Sequence, residues 1–381
     1  MQKLAIIGAN EFQEPLIRKA KELGFETHVF AWAAGDVGEA AADVFHPISI
    51  VEREAVWQVC RELGVSACCS IGSDLATHTV NYVQRRLGMP CNPEITDSIA
   101  TNKYEMRKAL RAAGVPCPGF LKVTEAPEES ALSAMRYPMI VKPTDRSGSR
   151  GIFKVTDYDA LREAVPQSAA CSFEHSAIIE EYIEGEEYSC EGISFAGKHH
   201  LLALTKKFTT GAPHFIETGH REPSDIPEKT RDRAERDILR ALDALHIEYG
   251  ASHAEFKLTP EGEARIIEIG ARMGGDCIGS DLVYLSTGMD YTAMVIDAAL
   301  GKAPDLTPKR LPAPARVRFI FTKSDLEAFE ADRKRAPDSI WRYSVGSTDE
   351  LAAAVTDSSN RHGWWITTEP IDPRGKGGRR I

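Results

Sequence analysis

The sequence predicts an α/β protein that opens with a doubly wound parallel sheet and continues into smaller α+β structure. Three observations predict it. Apolar strand patterns and amphipathic helix patterns alternate through the first hundred residues, as a parallel sheet with crossover helices requires. Further on, a lysine ends the apolar strand YPMIVKP, and a loop of Ser and Gly, DRSGSRG (145–151), follows it. Finally, Glu255 in AEFKL and Glu268 in RIIEIGAR flank TPEGE (259–263), which reads as a hairpin turn.

In chain order, LAIIG (4–8) is a buried strand and FQEPLIRKAKELG (12–24) an amphipathic helix stopped by Gly24. FETHVFAW (25–32) is the second strand, AVWQVCRELG (55–64) a helix, VSACCSI (65–71) the third strand and HTVNYVQRRLG (78–88) another helix. The loop after the first strand runs Gly8-Ala9-Asn10-Glu11-Phe12-Gln13. It lacks GxGxxG, and Trp32 rather than an acid ends the second strand, so no dinucleotide site is expected here. NKYEMRKALRAAG (102–114) is a helix with a glycine stop. VPCPGF (115–120) is an extended linker, because each proline disfavours helix in the residue before it. After the strand carrying Lys142 and its glycine loop come a strand GIFKV (151–155) and a helix from Asp157. AIIEEYIEG (177–185) and EEYSCEGISF (186–195) read as strands around a turn at Gly185. A charged amphipathic helix fills 227–246, and the carboxylate hairpin follows it. The chain closes with a proline-rich joint (307–315), the strand ARVRFIF (315–321), a mixed region and a basic tail, PRGKGGRRI (373–381).

Composition narrows the function. A formal net charge of -10 over 381 residues argues against nonspecific binding to nucleic acid or an anionic membrane. It leaves room for a local basic pocket. The eight cysteines form no CxxC pair or zinc spacing, so reduced thiols are expected. MQKLAIIGAN lacks a secretory apolar region and no run reaches the length of a membrane span, so a cytoplasmic protein is expected.

Three motifs carry chemistry. Lys142 at the end of a buried strand is costly unless an anion meets it, and the Ser/Gly loop behind it can close backbone amides on phosphate oxygens. In IIEEYIEGEEYS, an edge segment could present backbone groups to a base while a carboxylate accepts ribose hydroxyls. In the hairpin, antiparallel pairing would set Glu255 beside Glu268, a pair suited to hard divalent cations, with Arg272 adjacent as a fork for a phosphate or carboxylate. A plain hairpin with solvated charges would explain each of these alone. Their order is the informative part.

Lysine and glycine loop, then EExI…E, then E…E…R: in this order the chain resembles the ATP-grasp superfamily, over roughly residues 1–320. The resemblance implies an ATP-grasp fold in four parts: an N-terminal α/β domain (1–115), a lid (116–192), a metal and substrate subdomain (193–310) and a C-terminal mixed region (311–381). It implies that Lys103 and Lys142 contact ATP phosphates under a loop containing Ser147, Gly148, Ser149 and Gly151. The segment with Glu180, Glu181 and Ile183 would hold adenine, and Glu187 the ribose. Glu255 and Glu268 would bind magnesium, two ions sharing the second carboxylate, with manganese as a substitute. Many members read E-x-N-x-R at this strand, whereas Gly270 stands in place of the asparagine here, which weakens the second metal contact. EIGAR is similar to the version in L-amino-acid ligases of the dipeptide-forming kind. By that match Glu217 and His220 in HFIETGHREPS touch an amino-acid substrate, and Arg272 holds its carboxylate or acyl phosphate. Lys206 and Lys207 stand as alternatives for added charge near the γ-phosphate. The activity implied is ATP-dependent joining of a small carboxylate to an amine through an acyl phosphate, with a homodimer as one possible assembly. A purine-biosynthetic ligase or carboxylase, and a degenerate nucleotide sensor, are the other readings.

Overall fold

The structure is a computed structural model that describes residues 1–369, apart from 147, 149, 213, 348–350, 352–354 and 356–359. The basic tail expected at 373–381 lies outside the described residues, as do Ser147 and Ser149 of the glycine loop.

The N-terminal part is built from β1 (Lys3–Ile7), α1 (Glu14–Glu22), β2 (Glu26–Phe30), α2 (Val37–Ala41), β3 (Val44–His46), α3 (Arg53–Leu63), β4 (Ala67–Cys69), α4 (Asp74–Leu87) and α5 (Glu94–Ile99). Its sheet is parallel in the order β3-β2-β1-β4. β1 is apolar on both faces because both are covered. Leu4 and Ile6 enter one core, Ala5 and Ile7 the other. Sequence reading missed α2 and β3, so VSACCSI supplies the fourth strand rather than the third. At five and three residues these two elements are too short for a periodic signal.

α6 (Lys103–Ala112) starts at Asn102, whose side chain accepts the backbone N–H of Tyr104 and Glu105. A second sheet then forms from β5 (Phe120–Val123), β6 (Met139–Pro143), β7 (Phe153–Val155) and β8 (Ala177–Glu181), antiparallel in the order β5-β8-β6-β7. α7 (Tyr158–Cys171) packs Leu161 and Val165 against Met139, Val141 and Ile179 of this sheet.

The third sheet is the largest. It comprises β9 (Glu186–Phe195), β10 (Lys198–Thr209), β11 (Glu217–Glu222), β12 (Gly250–Leu258), β13 (Ala264–Gly270), β14 (Ala315–Ile320), β15 (Ile340–Val345) and β16 (Gly363–Thr368). The order is β13-β12-β9-β10-β11-β14-β16-β15, with every pairing antiparallel. α8 (Glu228–Ala244), α9 (Val283–Thr287), α10 (Tyr291–Ala299) and α11 (Lys323–Arg335) complete the chain. No described helix is long and apolar enough to cross a membrane.

The two strands expected around Gly185 are present. β8 and β9 flank Gly185 but do not pair, since each belongs to a different sheet. The expected boundary at 192 falls inside β9, and β14 to β16 of the C-terminal mixed region extend the same sheet. Gly185 is the passage between sheets. Its φ is +135°, and a Cβ there would lie 2.0 Å from the carbonyl oxygen of Leu258. Gly185→Ala should cost about 2 kcal/mol or more, from the disfavoured φ plus the clash. An unchanged urea midpoint would show that the passage is not so constrained.

Candidate active site

The hairpin of β12 and β13 sets Glu255 directly opposite Glu268. A bulge after Glu255 keeps the two carboxylates on one face. Glu255 Oε1 accepts from Lys207 Nζ at 2.7 Å and lies 3.0 Å from His253 Nε2. Glu268 Oε1 accepts from Lys103 Nζ at 2.8 Å. Burial alone would raise the Glu255 pKa, but Lys207 and His253 hold it well below the ordinary carboxylate value. An ionised, all-oxygen donor pair fits a hard divalent cation, so the residues present match magnesium.

Gly270, the position at which the sequence resemblance leads one to expect asparagine, has a physical reason. A Cβ at 270 would lie 2.9 Å from Asp74 Oδ1 and 3.1 Å from Arg272 Nε. That volume is taken by an ion pair: Arg272 Nε donates to Asp74 Oδ1 at 2.8 Å and Nη2 to Oδ2 at 3.2 Å. Asp74 opens α4, so the N-terminal part holds Arg272 in its fork geometry.

In the small sheet, Lys142 is buried on β6, its Nζ 2.8 Å from Glu180 Oε2. Arg107 from α6 meets the other oxygen, Nε to Oε1 at 2.7 Å, and is itself fully buried. The Glu180 side chain is thus committed to two cations inside the small sheet. Burial lowers the Lys142 pKa, with Glu180 acting against it. Glu181 accepts the Gly119 N–H at 3.0 Å, and Ile183 follows β8 in the passage to the large sheet. Lys103 links the small sheet to the large one: its N–H donates to the Thr144 carbonyl, and its Nζ to the Arg146 carbonyl at 2.7 Å as well as to Glu268. In the glycine loop, Gly148 and Gly151 have φ of 75° and 68°, a conformation glycine adopts without cost.

Lys206 and Lys207 point to opposite faces of β10. Lys206 pairs with Glu186 and Asp225. Lys207 is buried among Glu217 at 2.6 Å, Glu255 at 2.7 Å and Glu187 at 3.3 Å, so it is the lysine that shares the carboxylate face.

The segment from 217 to 222 is strand β11, and His220 lies opposite Lys207. His220 is fully buried, with Nε2 3.4 Å from Glu217 Oε2 and 3.9 Å from Asp276 Oδ2, and neither contact closes a hydrogen bond. Burial would lower its pKa, but Asp276 and Glu217 override that and raise it. Arg361 grips Asp276 with Nη1 at 2.6 Å and Nη2 at 3.1 Å.

Sequence reasoning missed Asp74, Arg107, Glu191, His253, Asp276 and Arg361. His253 is held between Glu191 and Glu255, and Glu191 also accepts the Gly274 N–H at 2.7 Å. Alternation along SHAEF puts His253 on the face of Glu255, a signal that could have found it.

Glu222 lies farther along the same face, accepting from Thr205 and Ser286 hydroxyls at 2.7 Å each. Burial pushes its pKa from the ordinary 4.5 up to about 8, against those two hydroxyls. An acid with a raised folded pKa stays protonated in the fold while the unfolded chain ionises. Stability is therefore lost as pH climbs from about 4.5 to about 8. Glu222→Gln should remove that slope and, at the alkaline end, stabilise by a few kcal/mol, about 1.4 per pKa unit. Urea unfolding of both proteins across this window checks it, and parallel pH profiles would contradict it.

Residues 135–281 match the family model of the ATP-grasp domain. Over those residues, with the architecture above, the fold is that of an ATP-grasp domain. It is similar to the alanine–anticapsin ligase of Bacillus subtilis (strain 168), 26% identical over 306 residues that span 71% of this chain and 64% of that protein. Across the first curated relatives it matches, the chain spans between 51% and 65% of their length. Its fold is also that of an L-amino acid ligase from Bacillus licheniformis, at a TM-score of 0.80 and 23% identity over 97% of this chain and 93% of that one. The biotin carboxylase domain of the Hydrogenobacter thermophilus 2-oxoglutarate carboxylase, a dimer solved with MgADP, ADP and bicarbonate, superposes at 0.76 with 17% identity, over 97% and 87% of the two chains.

Proposed function

We propose that the protein is an ATP-dependent carboxylate–amine ligase that forms an amide or peptide bond between small metabolites of the amino-acid type. A substrate carboxylate attacks the γ-phosphate of ATP, ADP leaves, and an amine displaces phosphate from the acyl phosphate. Two anions must approach each other in the first step, so the site has to supply positive charge, positioning and dryness.

One observation carries this reading. The buried trio of Arg107, Glu180 and Lys142 holds two cations against one anion, and Lys142 lies near enough to Glu268, one of the paired carboxylates, to feel its charge. A surplus buried cation is costly without an anionic guest, and a nucleotide phosphate supplies one. Lys142 and Lys103 bind phosphates, and the loop with Gly148 and Gly151 closes over them to exclude water. Backbone from Glu180 to Ile183 receives the adenine, and Glu187 the ribose hydroxyls. Arg272, kept in place by Asp74, holds the reacting carboxylate. Glu217 and His220 face the amino-acid substrate. Glu255 and Glu268 would hold magnesium, as one or two ions and replaceable by manganese, which would supply positive charge to neutralise the phosphates. The partners are then a small carboxylate and a small amine, and a homodimer is the proposed assembly.

The similarity to an alanine–anticapsin ligase supports amino acids over purine intermediates as substrates. ADP release measured with ATP and a pool of amino acids, with product masses read in parallel, tests the proposal. Turnover should require a carboxylate and an amine together. Nucleotide binding with no turnover under any pairing would instead mark a sensor.

A further inference from the structure

The face of the large sheet turned away from Glu255 carries a row of cations that the ligase reading does not use. Lys206, Arg221 and Arg316 are consecutive cross-strand partners on β10, β11 and β14. In the next row Phe208, Gly219 and Arg318 are partners, and Gly219 contributes no side chain. Like charges directly opposite in a ladder destabilise it. Three of these four cations have acidic partners. Lys206 is held by Glu186 and Asp225, Arg221 lies 3.6 Å from Asp225, and Arg318 donates to Asp332 at 2.8 Å.

Arg316 is different. It is half-buried, its guanidinium lies 4.8 Å from the centre of the Phe208 ring, and no described acid comes within ion-pair distance. The Nε atoms of Arg221, Arg316 and Arg318 are all buried without a hydrogen-bond partner. Burial, then Arg318 and Arg221, make the Arg316 charge less favourable than in water, and Asp332 and Glu369 only partly offset this. The nearby acids are otherwise engaged: Asp332 also accepts from Arg335 and Trp365, and Asp225 from Tyr188.

We propose that Arg316, flanked by Arg221 and Arg318, forms a binding site for a tetrahedral oxyanion of the phosphate class, on the opposite face of the sheet from the nucleotide cleft. Guanidinium groups offer donors in a planar fork that matches phosphate oxygens, and a shared anion would cancel the repulsion across the β11–β14 ladder. Free phosphate and the phosphoryl group of a small metabolite share this chemistry.

The test is isothermal titration of the full chain with inorganic phosphate and with glycerol phosphate at constant ionic strength, for wild type, Arg316→Gln and Lys142→Met. Wild type and the Lys142 variant should both bind, whereas Arg316→Gln should bind at least about tenfold more weakly, as loss of a charged donor implies. Tighter binding of glycerol phosphate would assign the site to a phosphomonoester, and equal binding to free phosphate. In phosphate-free buffer Arg316→Gln should unfold at the same or a higher temperature, because repulsion is relieved. Equal phosphate affinity in Arg316→Gln, a lowered midpoint in that buffer, or no binding by wild type would overturn the proposal.

Discussion

Glu268→Gln should reduce turnover by about 10²–10³-fold, the range for removing one preorganised electrostatic contact to a transition state. The substitution keeps volume and removes charge. Glu268 is partly exposed, at 27% of its side chain, and its partner is Lys103. The fold should therefore lose little, since the amide oxygen can still accept from the lysine. What is lost is the anionic oxygen facing Glu255. ADP release by the purified variant, with the carboxylate and amine pair that wild type uses, checks this. Activity close to wild type would remove Glu268 from any metal site.

Glu180→Gln and Lys142→Met should separate sharply, although they alter the two ends of one 2.8 Å contact. The trio holds two buried cations and one buried anion. Neutralising Glu180 leaves Arg107 and Lys142 facing each other without a counter-charge, which should cost about 3–5 kcal/mol, as for other buried pairs broken from one side. Replacing Lys142 by methionine leaves Arg107 and Glu180 balanced, so stability should change much less. Nucleotide affinity should then fall roughly tenfold to a hundredfold, the worth of one charge-assisted contact. Chemical denaturation and nucleotide titration on both variants give the comparison. A Lys142→Met protein that binds nucleotide normally would mean that the surplus charge serves another purpose.

What could be read in the sequence follows the range of the signals. The hairpin carrying Glu255 and Glu268 was legible from its turn, but their opposition was not: the register from the turn would set Glu255 opposite Ile267, and a bulge that the sequence does not mark brings Glu268 into place. Lys142 was legible because a lysine closing an apolar strand is an anomaly. Arg107 was not, since an arginine in an amphipathic helix looks the same whether it faces solvent or a buried glutamate. Asp74 meets Arg272 across 198 positions and Asp276 meets Arg361 across 85, and no periodicity encodes such pairings. The choice between Lys206 and Lys207 needed the register of β10 against β9 and β11, which only the assembled sheet supplies. That the strands around Gly185 part into two sheets was not legible for a related reason. Two adjacent strands with a glycine between them look alike whether they pair or part.

The central claim is that a substrate carboxylate, held by Arg272, attacks the terminal phosphate of ATP. Its most direct measurement uses a carboxylate substrate labelled with heavy oxygen, turned over with ATP and the amine, followed by mass analysis of the released phosphate. Attack through an acyl phosphate transfers one labelled oxygen to inorganic phosphate, and that is the predicted result. Phosphate free of label, or label carried off in AMP, would contradict the account.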